Sequence, residues 1–160
     1  MERTPAMNRY LMLLLMFLGF SPMVGTELLA DQIIVTGGRN YDDVTITGAS
    51  YEQVQFKLPG VSTAQKVDAD KVLRLIFSRE SSSLARGRGA FENGDWETAA
   101  SSFKAATSMG DALKKSSAMY MHGLSLLRWG DSDPAKYQES ITALGAYLSE
   151  FEGKKDFYVP

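Results

Sequence analysis

Cysteine is missing from all 160 residues. Its absence excludes disulfides, thiolate metal sites, cysteine nucleophiles and the modified cysteine on which a bacterial lipoprotein anchor depends. Histidine occurs once, as His122 in YMHGLSLL. With no second imidazole and no thiolate, a metal site would need carboxylates, for which no ligand spacing is visible, so His122 reads as a packing or groove-lining residue. No charge of either sign dominates: 17 Lys and Arg oppose 19 Asp and Glu, for a formal net charge of -2. The basic pairs Arg86 and Arg88, Lys114 and Lys115, and Lys154 and Lys155 are short and interrupted, as solvated faces are, and leave no electrostatic footprint for nucleic acid. The longest apolar run, Tyr10 to Phe20, is about half of the roughly 20 residues a membrane span needs before Ser21-Pro22 breaks it.

That run has the layout of a leader. Arg9 precedes it and Ala30 offers a small-residue cleavage point, so 1–30 is expected to be a signal peptide and the mature chain to begin near Asp31, in the periplasm or outside the cell. A start at Met7 leaves this reading intact. An uncleaved signal anchor is the alternative.

From 31 to 78 the hydrophobic period is two. QIIVTGG, DVTITG, EQVQFKL, STAQKV and KVLRLIF are short and rich in β-branched residues, and Gly37-Gly38, Gly48-Ala49-Ser50, Pro59-Gly60 and Asp68-Ala69-Asp70 separate them. In EQVQFKL, Val54, Phe56 and Leu58 point to one side and Gln53, Gln55 and Lys57 to the other, which predicts one buried and one wet face. Five such strands are too few for a sandwich of ordinary size but enough for a small half-open barrel. DADKV suits a single helical turn before the last strand, and the arrangement resembles an SH3-type barrel.

Beyond Phe77-Ser78, in the segment 79–160, the period becomes three and four. The pattern predicts four helices in two hairpins: Glu80 to Asn93, Trp96 to about Met109, Ala112 to Trp129, and one opening on Asp133-Pro134 and ending near Glu152. Ser78 or Ser81 caps the first, Asp95 the second, and Gly94, Gly110, Gly130 and Gly153 supply exits. The fold class is therefore α+β.

In GAFENGDWETAASSFKAA, Trp96, Ala99, Phe103 and Ala106 fall at offsets of three, four and three and share one helical face. Gly87, Gly94, Trp96, Ala99, Phe103 and Ala106 together resemble the tetratricopeptide repeat: a glycine in the first helix, a turn glycine, then aromatic, alanine, aromatic and alanine in the second. A second copy repeats the offsets with Gly123, Gly130, Tyr137, Ser140, Leu144 and Tyr147. Ser132 to Pro134 lengthen its turn, and Tyr147 at the last small position is expected to push the next helix outward. The resemblance covers about half the chain and implies a helical solenoid with a concave binding face.

No reaction chemistry is legible. Asp42-Asp43 and Asp68 with Asp70 sit where turns or strand starts are expected, where acidic residues serve local hydrogen bonding. Gly37-Gly38 is followed by neither a helix nor a Lys-Ser/Thr pair, which excludes a phosphate loop. SRESSSLARGRG reads as a helix start in preference to an RNA-binding segment. Met119 and Met121 beside Tyr120 have the spacing of core residues. The expectation is a chain that is not an enzyme, with no cofactor, no metal, no nucleic acid and no small-molecule substrate, whose partner is a protein or peptide.

The resemblance places that partner against the first helix of each hairpin, at Leu84, Arg88, Phe91 and Glu92, then Tyr120, Leu124, Leu127 and Arg128, with the two arginines meeting an acidic end. The alternative use of these residues is packing against the β segment or a further repeat. Tyr147, Leu148 and Phe151 close the fourth helix with no capping helix after them, so the open end is expected to dock on a partner or on another copy. The alternative overall role is an envelope-assembly spacer or self-association segment of a longer exported protein.

Overall fold

The computed structural model describes residues 30–158; the expected leader lies outside them. Five strands come first: β1 (Asp31–Val35), β2 (Tyr41–Ala49), β3 (Gln53–Lys57), β4 (Gln65–Asp68) and β5 (Val72–Ile76), with a 3-10 turn, Ala69–Lys71, joining the last two. Four helices follow: α1 (Ser82–Glu92), α2 (Trp96–Ala106), α3 (Ala112–Trp129) and α4 (Ala135–Phe151). The architecture is α+β.

The strands form one open antiparallel sheet in the order β4-β3-β2-β1-β5. The expected curl does not close it, because the short strands β4 and β5 remain as its two edges. β2 is the shared strand. Its first half pairs with β1 (Val44 with Asp31), its second with β3 (Ile46 with Phe56), and the register slips between Ile46 and Gly48. Alternation sets the inner face: Ile33, Val54 and Phe56 are fully buried and Val44 nearly so, while Leu58 falls beyond the end of β3 and is half-buried. Asp31 pins the sheet from beneath. Its buried carboxylate accepts from the Ile46 amide at 2.7 Å and the Ser78 amide at 2.6 Å, tying β1, β2 and the exit of β5 together.

The helices begin where side chains satisfy their free amides. Ser81 accepts from Leu84 at 3.1 Å, Asp95 from Thr98 at 3.1 Å, and Asp111 from Leu113 and Lys114 at 3.0 Å. Before α4, Asp133 accepts from Ala135 at 3.2 Å, across Pro134. α1 starts two residues later than expected because Glu80 is used elsewhere: its carboxylate accepts from the Phe77 amide and pairs with Arg88. α2 ends at Ala106 rather than Met109, where the Thr107 and Ser108 hydroxyls turn back onto the carbonyls of Lys104 and Ala105. Gly94, at φ 74°, makes the tight turn between α1 and α2.

Each helix packs on the next in sequence, α1 on α2, α2 on α3 and α3 on α4. Sheet and helices share one buried cluster, in which Ile33, Val54, Phe56 and Phe77 join Leu84, Ala99, Phe103 and Ala118. Ion pairing of Arg74 on β5 with Glu92 on α1, and a bond from Lys114 Nζ to the Ser78 carbonyl at 3.1 Å, tie the two parts at the rim.

Candidate functional site

The two hairpins are built around the same contact. A Cβ on Gly87 would lie 2.8 Å from the Phe103 ring, and one on Gly123 would lie 2.5 Å from Leu144. In each hairpin the glycine lets a large side chain of the second helix lie against the backbone of the first. The other predicted packing positions follow suit. Ala99 and Ala106 are buried, and Trp96 meets Phe91 edge-on at 5.1 Å between ring centres. Ser140 is buried with its hydroxyl donating to the Gly123 carbonyl at 2.8 Å. The Tyr137 ring lies against Gly130, where a Cβ would come within 2.5 Å.

Tyr147 does not protrude. It is 2% exposed, packed edge-on to Tyr120 and tilted against Phe151, and its hydroxyl donates to Asp156. Small side chains on α3, Ser116 among them, leave room for the ring, and Ser116 donates to the same carboxylate at 2.6 Å. Burial, and then the neighbouring Asp156 carboxylate, push the Tyr147 phenol well above its ordinary range, so it remains a donor.

The predicted groove residues divide into two groups. Leu84 is buried in the shared core. The Arg88 guanidinium, whose pKa burial lowers, is held by the nearly buried Glu80 carboxylate. Glu92 is paired with Arg74. Tyr120 is covered by Tyr158, stacked on it at 4.5 Å and 12° with its hydroxyl donating to Ser117 at 3.2 Å. Burial pushes the Tyr158 phenol up to about 12. Against these four, Phe91 and Leu124 are half-buried, while Leu127 and Arg128 are exposed and Arg128 enters no ion pair among the described residues.

Two features of this region escaped the sequence. The first is the segment after α4: Asp156, buried, accepts from Ser116, Tyr147 and its own near neighbour, the Tyr158 amide, and Phe157 packs against the shared core. The run DFY was its only signal. The second is an open cavity of about 790 Å³ between α2 and α4. Met119, His122, Leu126 and Trp129 of α3 form its floor, and Ala100, Lys104, Ala143 and Ala146 belong to its walls. His122 Nδ1–H donates to the Ala100 carbonyl at 2.9 Å, and burial lowers its pKa, so the neutral ring presents Nε2 as an acceptor. Periodicity on a single helix carries no trace of a cavity shared by three.

Among the described residues, no group of three or more His, Asp or Glu side chains is placed to hold a metal, and no helix is long and apolar enough to cross a membrane. Comparison with protein-family models, curated proteins and solved structures gives no match.

Proposed function

We propose that this chain is a non-catalytic interaction module of an extracytoplasmic compartment, holding a peptide or protein segment against the face formed by its first helices, α1 and α3. On this reading the β segment is an SH3-like unit and the helices are two tetratricopeptide-like repeats. For the first, a strand shared between two halves of the sheet and a 3-10 turn before β5 lend support. For the second, the repeated glycine contact, Gly87 beneath Phe103 and Gly123 beneath Leu144, is the observation that carries the proposal. It makes α1 and α3 equivalent members of successive hairpins, the arrangement from which a repeat surface is built. A repeat surface sets how a partner is held, and side chains decide which partner.

Setting aside Glu92, which is exposed but ion-paired with Arg74, and Arg88 and Tyr120, which are engaged by Glu80 and Tyr158, the groove candidates with surface to offer are Phe91, Leu124, Leu127 and Arg128. They suit a segment with an apolar residue next to an acidic group or a terminal carboxylate, which an unpaired guanidinium can hold through two hydrogen bonds. Arg88, engaged by Glu80, positions α1 against the β5 exit and leaves ligand binding to Arg128. The leader read from the sequence supports the compartment. A spacer or self-association role is the second reading, and the outer face of α4, where Ile141 is 64% and Leu148 51% exposed, favours it.

Selection from a displayed peptide library with free carboxyl termini tests the first reading. Enriched peptides should be acidic at one end, and Leu127→Ala with Arg128→Glu should weaken them by about tenfold or more, the loss of one apolar and one charge-assisted contact. Lys57→Glu, on the far sheet, should leave them unchanged. Failure to enrich any peptide, or binding indifferent to the α3 changes, overturns the assignment.

A further inference from the structure

The cavity over α3 has a floor that the first hairpin does not repeat. Counted from Gly87 and Gly123, Met119, His122, Leu126 and Trp129 stand where α1 has Ser83, Arg86, Ala90 and Asn93. Small side chains on the walls, Ala100 of α2 with Ala143 and Ala146 of α4, leave space over that largely apolar stripe. At about 790 Å³ the cavity has the volume of a small-ligand site, in which an apolar lining is joined by a few placed polar groups. His122 supplies one of them. Its Nδ1–H is engaged by the Ala100 carbonyl at 2.9 Å, whereas Nε2 accepts no bond. Among the described residues no buried side-chain nitrogen lacks a partner, so Nε2 is open to the cavity that His122 lines.

Opposite charges mark two points along one wall. Of the charged side chains that line the cavity, Lys115 and Glu150 pair with each other, and Glu139 pairs with Lys136. Glu97 and Lys104 of α2 remain, and neither enters an ion pair among the described residues. They share one side of α2 but lie about 10 Å apart along it, beyond the pairing open to residues three or four apart. Ala100, the partner of His122, lies between them. Lys136 feels the charge of Glu97, but its ammonium is bonded to Glu139 and held over the Trp129 ring.

We propose that the cavity binds a short peptide with both termini free, about three residues long. Its ammonium meets Glu97, its carboxylate meets Lys104, a backbone N–H donates to His122 Nε2, and an apolar central side chain lies over Leu126. Three extended residues span at most about 10 Å, which matches the separation of the two charges. The order of the charges sets the direction: the peptide runs parallel to α2. Leu124 and Arg128, one turn apart, lie on the other side of α3 from this floor, so the site is independent of the face formed by α1 and α3.

Equilibrium dialysis of the purified chain, as the producing cell releases it, against isotope-labelled alanyl-leucyl-alanine tests this. The free tripeptide should bind, and acetylating its amino terminus or amidating its carboxyl terminus should each weaken it about tenfold or more, the loss of one charge-assisted contact. Lys104→Gln should weaken the free peptide by a similar factor and leave the amidated form unchanged. Glu97→Gln should do the same, with the acetylated form as the one unchanged. Both positions are exposed, so circular dichroism should stay that of the parent. Ala146→Phe, which fills the cavity from a third exposed position, should abolish binding. No binding of the free tripeptide up to millimolar concentration, or equal binding of free and blocked forms, overturns the proposal. So does binding that survives Lys104→Gln but is lost in Leu127→Ala with Arg128→Glu, a result that moves the peptide to the α1 and α3 face.

Discussion

The first hairpin and the second make one contact and finish it differently. In the first, Phe103 fills the space under Gly87, small alanines line both flanks, and the hairpin is enclosed between the sheet and α3. In the second, the smaller Leu144 lies under Gly123, and polar groups complete the packing: Ser140 bonds the Gly123 carbonyl, and Tyr147 with Ser116 converges on Asp156. Even the turn glycines differ in purpose. Gly94 is needed for a φ of 74°, whereas Gly130 has an ordinary helical φ of -54° and is needed because the Tyr137 ring lies on its backbone. The close approach of two helices is therefore common to both hairpins, and the means of filling the remaining space passes from apolar volume in one to hydrogen bonds in the other.

The comparison can be broken most forcefully at its centre. Phe103→Ala, at a fully enclosed site, should cost about 3–5 kcal/mol in urea unfolding, whereas Leu144→Ala, half-buried beside an open face, should fall near the low end of about 2–5 kcal/mol. Equal costs would show that the second hairpin is as tightly enclosed as the first. A smaller effect isolates the polar completion. Tyr147→Phe removes one donor from the buried Asp156 and should cost about 1–3 kcal/mol, with faster amide exchange at Tyr158, whose N–H the same carboxylate accepts. Unchanged exchange there would mean that the ring stack on Tyr120 alone holds the tail.

The smallest effect is one of pH. Burial lowers His122 in the folded chain, so the unfolded chain takes up the proton more readily. His122 therefore leaves stability untouched above its ordinary value of about 6.5 and subtracts from it as pH falls below that, levelling off once the folded form also titrates. Because His122 is the sole histidine, His122→Gln should flatten the stability profile just below that pH. An unchanged slope would show that His122 is not the group responsible.

Much of this was legible in the chain. The five strands, the 3-10 turn and the four helices fall where period and punctuation put them, and Ser81 and Asp95 cap as read. These are local properties, set by residues within a turn or two. The fate of Arg88 was not legible. On helical spacing it faces a groove, yet Glu80, eight residues earlier, folds back to engage it. Tyr147 misled for a related reason: its volume is visible in the sequence, but the room beside Ser116 and the carboxylate of Asp156 come from other elements.

The sequence by itself determined the elements, the glycines that let Phe103 and Leu144 approach, and the change from a sheet to helical hairpins, because periodicity and turn chemistry act over a few residues. Only the tertiary structure decided that the sheet stays open, that Asp31 and Asp156 become buried acceptors, that a cavity opens over α3, and which of the expected groove residues keep a free surface. Those outcomes depend on which distant groups come within hydrogen-bond or van der Waals reach, and that is fixed only when the elements pack.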